Sequence, residues 1–190
     1  RIQNRQITPD DLHPNTDGHA LLAEVITDFL DKVYSQMEEE EKPVDMPAPM
    51  TVNAYQNARR YQNHNSTPVC QGWEADPALK KYVNDMFRNG WTASEKGANI
   101  IFEVEGTEIA VQYRKSVNLP APIAVAVVDG DEEKAVPLDA NFDETWGDCL
   151  YISTVANHIA KGNHKVEIRL TQTHENDAVP FYLVSVIGSY

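Results

Sequence analysis

Apolar residues near the start of the chain recur at helical spacing. Spacings of three and four residues within the set, such as 22–25, 22–26, 25–29, 26–29 and 29–33, place it on one face of an α-helix. The set is Leu22, Val25, Ile26, Phe29 and Val33. Thr16 or Asp17 suits the start of the helix, because a short oxygen-bearing side chain accepts a backbone N–H of the first turn. We predict a helix over residues 17–37 whose apolar stripe needs a partner to pack on.

After Gly97 the pattern changes to short alternating runs separated by turn residues, which is typical of β-strands. Glu105-Gly106-Thr107 suits a tight hairpin, and Asp129-Gly130 suits a turn with positive φ. We predict strands at residues 99–105, 108–114, 123–128, 135–138, 149–155, 165–171 and 182–187.

The strand at residues 165–171 shows the alternation best, since Val166, Ile168 and Leu170 would all face a core. No long helical stretch interrupts the strands. The predicted fold is mainly β: an antiparallel β-sandwich (jelly roll) of about seven or eight strands, preceded by one long α-helix.

The helix and the sandwich are separated by a change of composition at residues 38–49, which read EEEEKPVDMPAP. Four glutamates repel one another and the prolines stop a helix, so we predict a linker. The domain prediction is therefore residues 1–37, the linker, and residues 50–190. Inside the last region, residues 51–55 suggest a strand, 58–66 a loop or short helix, and 77–88 a short helix.

Composition narrows the classes of partner. The 190 residues are 42% hydrophobic, enough for a core, and the formal net charge of -13 argues against nucleic acid and anionic membranes as partners. No apolar run reaches the roughly 18 residues of a membrane span. The first residues resemble no signal peptide, and nothing in the sequence decides between a cytoplasmic and a secreted location.

One short motif carries candidate chemistry: Asp10-Asp11-Leu12-His13-Pro14-Asn15, followed by Gly18-His19 and the helix. A histidine near neutral pH is a good general base when one ring nitrogen is held and the other is free. A carboxylate three residues upstream can hold the first nitrogen. The alternative interpretation is a polar loop that only caps the helix.

In its order and spacing this motif, over residues 7–34, resembles the last conserved block of the SGNH (GDSL-like) hydrolases. The resemblance implies that His13 is the general base and Asp10 the orienting acid, with Asp11 as the alternative acid. It also implies that the helix belongs to an α/β SGNH hydrolase domain. The remainder of that domain would supply the serine and would be the partner of this segment.

The strand pattern is also similar to jelly-roll modules attached to some SGNH carbohydrate esterases. It combines four segments: 102–107, 128–130, 162–170 and 181–187. Together the two resemblances imply the C-terminal portion of a serine esterase that cleaves an ester on a carbohydrate or a lipid. The alternative is a non-catalytic sandwich that binds carbohydrate or docks on a catalytic domain.

The chain also departs from the family pattern. No G-D-S block precedes Asp10, and the chain begins with Arg, so we expect a fragment of a longer protein. Gly147-Asp148-Cys149 resembles G-D-S, but it follows the histidine motif and begins a predicted strand, which favours a buried cysteine over a nucleophile. The histidines and cysteines lack metal-ligand spacing, so we expect no metal and no cofactor.

Tryptophans are the remaining candidates for a binding role. Trp73, Trp91 and Trp146, if exposed, would offer rings on which sugars stack; if buried, they belong to the core, where large aromatic residues are usually found. Our binding prediction names Trp73 and Trp91, and their burial decides between the two roles.

Overall fold

The computed structural model describes residues 4–37, 45–51, 53–76 and 86–190. The chain divides into two compact units, residues 1–48 and residues 49–190. Most of the predicted linker and most of the helix predicted at residues 77–88 fall at residues 38–44 and 77–85, outside the described part of the chain.

The first unit contains a short helix, α1 (Asn4–Ile7), and a long one, α2 (Thr16–Gln36). The long helix was predicted, but its cap was not. The cap is Asn15, whose side-chain oxygen accepts the Gly18 N–H at 2.9 Å. Thr16 and Asp17 already belong to the helix, so their backbone geometry is helical and excludes the capping position.

The apolar stripe of α2 lies open to solvent. Val25, Ile26 and Phe29 are 60%, 56% and 63% exposed. Burying each large apolar side chain stabilises a protein by roughly 1.5–3 kcal/mol, so a stripe of this size normally packs against another element.

The described residues of the second unit form eleven strands. They are β1 (Arg59–Tyr61), β2 (Val69–Gln71), β3 (Glu74–Ala75), β4 (Trp91–Ala93), β5 (Asn99–Gly106), β6 (Glu108–Lys115), β7 (Ile123–Val128), β8 (Val136–Asp139), β9 (Cys149–Ala156), β10 (Gly162–Gln172) and β11 (Phe181–Ser189). One sheet has the order β3-β4-β11-β6-β9, with β1 also paired to β11; the other has the order β2-β5-β10-β7-β8. Every pair of these strands is antiparallel, which confirms the predicted sandwich.

The core lies between the inner faces of the two sheets. Val166, Ile168 and Leu170 of β10 are buried, as their alternation predicts. Phe102 from β5 and Phe181 from β11 are among its largest fully buried side chains. The two layers therefore share one hydrophobic core.

All seven predicted strands are present, as β5 to β11, with bounds shifted by a few residues. The strand predicted at residues 51–55 is wrong: residues 54–57 form a turn in which the Gln56 N–H donates to the Asn53 carbonyl at 3.2 Å. The region 58–66, predicted as loop or helix, contains β1. The four short strands β1 to β4 were missed, since two or three residues are too few to show a period.

The predicted hairpin at Glu105-Gly106-Thr107 is also wrong, because β5 and β6 lie in different sheets. The segment is a corner between the layers, and the Thr107 N–H donates to the Ser189 carbonyl at 2.7 Å. The predicted turn at Asp129-Gly130 is confirmed: φ is 53° and 75°, and it joins the paired strands β7 and β8.

Candidate functional site

The short loop between α1 and α2 brings Asp10 and His13 together. Asp10 Oδ2 lies 2.6 Å from His13 Nδ1. The other oxygen, Oδ1, accepts the backbone N–H groups of His13 at 2.7 Å and Leu12 at 3.1 Å. One carboxylate thus binds both the ring and the backbone of the loop. As a result, the Nδ1 side of the imidazole faces Asp10.

The contact is made by Asp10 and not by Asp11. Asp11 has a left-handed backbone, with φ of 62°, and its N–H donates to the Thr8 carbonyl at 3.0 Å. In this turn, the Asp10 carboxylate lies against the N–H groups of Leu12 and His13 and against the His13 ring. Of the two neighbouring carboxylates, it is therefore Asp10 that contacts the His13 ring.

Hydrogen bonding lowers the pKa of Asp10. The bond to the His13 side chain contributes most, followed by the backbone N–H groups of His13 and Leu12. The carboxylate is therefore ionised at neutral pH and keeps Nδ1 of His13 as a donor. Among the described residues, none forms a hydrogen bond with Nε2 of His13.

The pair lies on the surface of its unit. The side chains of His13 and Asp10 are 76% and 55% exposed. Because no burial holds the ring, its orientation depends on the hydrogen bonds of its own loop. An exposed imidazole that is held at one ring nitrogen can act as a base through the other toward a group brought to it.

The binding role predicted for Trp73 and Trp91 does not fit the structure. The two side chains are 6% and 3% exposed, and sugar stacking needs an accessible ring. Trp73 packs edge-on against Phe181 at 5.9 Å between ring centroids, and Trp91 packs in the same way against Phe102 at 5.1 Å. Both tryptophans therefore belong to the core.

Trp146 is different, since it is 68% exposed. Phe142 packs edge-on against it at 5.1 Å between ring centroids, and Tyr151 is 42% exposed. The Lys115 ammonium stands 5.9 Å from the Phe142 ring centre and 4.9 Å from that of Tyr151. We call these four residues the Trp146 surface. The polar run 143–145 before Trp146 is the sequence feature that could have indicated an exposed loop.

Asp148 and Cys149 serve the sandwich. Asp148 Oδ1 accepts the Ser116 hydroxyl at 2.8 Å and the Val117 N–H at 3.1 Å, and Cys149 opens β9 opposite Lys115 of β6. Among the described residues, no three His, Cys, Asp or Glu side chains are grouped so as to hold a metal ion. The described helices include none that is long and apolar enough to cross a bilayer.

Comparison with known proteins adds one close likeness. No family model matches the chain. No curated protein matches it either. Among solved structures, a two-domain esterase (CEX) active on acetylated mannans matches 100% of the chain with 60% identity and a TM-score of 0.91.

The same esterase co-crystallised with mannopentaose matches with 60% identity and a TM-score of 0.89, again over 100% of this chain. The chain spans only about half of these two structures, 51% and 50% of their length. Along its whole length, this chain is therefore similar to one half of a two-domain carbohydrate esterase.

Proposed function

We propose that this chain is the C-terminal part of a two-domain serine esterase of the SGNH type, and that Asp10 and His13 are its catalytic acid and base. The observation that carries the proposal is the 2.6 Å contact between Asp10 and the inner nitrogen of His13, whose outer nitrogen has no hydrogen-bond partner within the described part of the chain. The similarity to a two-domain esterase independently supports the part of the proposal that assigns the chain to an esterase.

In the proposed reaction, Nε2 of His13 takes the proton of a serine hydroxyl as the serine oxygen attacks the ester carbonyl. The imidazolium then returns this proton to the leaving alcohol oxygen. Water repeats the sequence and releases the acid. Asp10 holds the ring in the productive tautomer and stabilises the positive charge that forms on it.

The serine and the oxyanion donors belong to the remainder of the esterase domain in this proposal. The exposed stripe of α2 supports it, because Phe29, Val25 and Ile26 form an apolar face that an α/β domain would cover. By similarity to the acetylmannan esterase, the proposed substrate is an acetyl ester on a mannan chain.

The first test measures acetate release from acetylated mannan by the two-domain protein. His13→Ala should lower kcat by at least ~1,000-fold, because the serine loses its proton acceptor. The isolated 190-residue chain should release no acetate, since a base without a nucleophile gives no turnover.

The control is His19→Ala, which removes a nearby histidine of the α2 N-terminus and leaves the loop intact. Its activity should stay close to wild type. Wild-type rates in His13→Ala would refute the esterase role of this motif. Turnover by the isolated chain that Cys149→Ala abolishes would assign the nucleophile to Cys149.

A second candidate function is carbohydrate binding by the sandwich, and the Trp146 surface favours it. An exposed indole offers a face for the apolar C–H side of a sugar ring, and nearby polar groups suit the hydroxyls of the sugar.

Titration of the chain with mannopentaose should show binding that Trp146→Ala weakens at least tenfold. Tyr55→Ala removes an equally exposed ring elsewhere (67%) and should not change binding; equal affinity of the two variants would reject this function.

A further inference from the structure

Asn15 joins the two ends of the loop that carries Asp10 and His13. Its backbone N–H donates to the Ile7 carbonyl at 2.9 Å, and its side-chain Nδ2 donates to the Gln6 carbonyl at 2.8 Å. Its Oδ1 accepts the Gly18 N–H at 2.9 Å. One residue thus links the last turn of α1 to the first turn of α2.

Gly18 permits this closure. It is the buried residue of α2, and a Cβ added there would lie 2.4 Å from the Ile7 carbonyl oxygen and 3.0 Å from Cβ of Pro14. Real Cβ atoms do not approach carbonyl oxygens so closely, so any side chain would push α1 away from α2. The glycine therefore lets Ile7 and Asn15, the two ends of the loop, come together.

The closure matters because His13 and Asp10 are exposed. In a buried site, packing holds the rotamers of an acid–base pair. Here the pair is oriented by loop 8–14, and the shape of a short loop is set by the separation of its ends. If the two ends of the loop separated, the loop could adopt other conformations, in which the Asp10 carboxylate no longer contacts the His13 ring.

We propose that Asn15 is a positioning residue for the catalytic pair: by tying Gln6 and Gly18 together, it holds loop 8–14 in the one shape that aims Asp10 at His13. Asn15 does not touch the imidazole and acts only through the loop. This inference rests on the proposed role of His13 as the base.

Two substitutions separate this role from ordinary helix capping. Serine is also a good N-cap, so Asn15→Ser keeps an acceptor for the Gly18 N–H but is too short to reach the Gln6 carbonyl. Asn15→Ala removes both contacts. Lys32→Ala is the control, since it removes only the exposed Asp28–Lys32 pair in the middle of α2.

The first measurements use the 190-residue chain and NMR. In Asn15→Ser, the pKa of Asp10 should rise toward its ordinary value of 3.8, and the Nδ1–H signal of His13 should broaden or vanish. Helix content by circular dichroism should match wild type. Lys32→Ala should leave both NMR readouts unchanged.

The second measurement uses the two-domain enzyme. There Asn15→Ser should lower kcat roughly five- to tenfold, the size of effect expected when one hydrogen bond that positions the catalytic pair is removed, with KM unchanged. A wild-type Asp10 pKa and wild-type kcat in Asn15→Ser, with losses only in Asn15→Ala, would overturn the proposal and leave Asn15 as a cap. A shifted Asp10 pKa with wild-type kcat would support the positioning but refute the catalytic role of His13.

Discussion

At the scale of single residues, the carboxylate of Asp10 organises the candidate site. It binds the ring of His13 and two backbone N–H groups with only its two oxygens. Neighbouring Asp11 is also an aspartate, but its left-handed backbone forms the turn of the loop, in which its N–H donates to the Thr8 carbonyl. The position of an acid in a tight loop therefore decides its role more than its identity does.

This difference predicts unequal effects of two equivalent substitutions in the two-domain protein. Asp10→Asn should lower kcat severely, because an amide leaves the imidazole in the wrong tautomer; in a serine protease the same change costs about four orders of magnitude. Asp11→Asn should cost little. Acetate release measured on both variants checks the assignment, and the reverse order would make Asp11 the acid.

His164 differs from His13 because both of its ring nitrogens have hydrogen-bond partners. Nδ1 lies 2.7 Å from Asp129 Oδ2, and Nε2 lies 2.8 Å from the Ala160 carbonyl oxygen. Two acceptors are satisfied only by the doubly protonated ring. Burial lowers the pKa of His164, but the bonds to Asp129 and Ala160 outweigh it and the net shift is upward.

A pH dependence of stability follows from this pair. A raised pKa means that the contribution of His164 is complete below its ordinary pKa of 6.5 and is lost as the pH rises through the higher folded value. For Asp129, burial acts to raise the pKa, but the hydrogen bonds from His164 and Lys165 lower it overall, so its contribution is lost as the pH falls below the ordinary 3.8.

Urea unfolding between pH 5 and 9 (~four pH units, spanning the ordinary histidine range) measures this effect. The free energy of unfolding should fall with rising pH in the wild type, and His164→Gln should flatten that fall. Asp129→Asn added to His164→Gln should cost little more, because the partner is already lost. An unchanged slope in His164→Gln would show that the histidine does not act in this way.

At the scale of elements, local pattern decided what could be predicted. The helix and the seven long strands were predictable because each spans enough residues to show its own period. The corner at Gly106 was not, since a hairpin and a crossing between sheets use the same turn residues. The difference lies in Ser189, which receives the Thr107 N–H from 82 residues away.

The corner between the two sheets, at residues 105–107, predicts unequal effects of two glycine substitutions. A Cβ on Gly188 would lie 2.2 Å from the Glu105 carbonyl oxygen, whereas one on Gly162 would meet nothing within 4 Å. Gly188→Ala should therefore destabilise the sandwich by about 1–3 kcal/mol, the usual range for overpacking. Gly162→Ala should stay within about 0.5 kcal/mol. Thermal unfolding of the two variants checks the contrast, and similar losses would show that the corner yields easily.

At the scale of the whole molecule, contacts between sequence neighbours were predictable and contacts between distant strands were not. Asp10 and His13 are three residues apart, so a motif carries their contact. The burial of Trp91 depends on β4 pairing with β11 and on Phe102 from the other sheet, and no local pattern contains that information. For this reason, the sequence could not reveal that Trp73 and Trp91 are too buried to bind sugar.

The distribution of tryptophans is measurable in solution. With Trp73 and Trp91 buried and Trp146 exposed, acrylamide should quench the fluorescence of the chain in two components. Trp146→Phe should remove the easily quenched component and shift the remaining emission to shorter wavelength. Easily quenched emission that persists in this variant would contradict the burial of Trp73 and Trp91.

The place of β11 has a consequence for how the sandwich is made in the cell. Phe181–Ser189 pairs with β1, β4 and β6, so the middle of its sheet is filled by a strand that follows all of its partners in the sequence. A ribosome synthesises those partners first and must expose their unpaired edges until β11 emerges. This sheet therefore cannot be completed until residues 181–189 have been synthesised, and a chain that stalls before residue 181 presents open strand edges to chaperones and proteases.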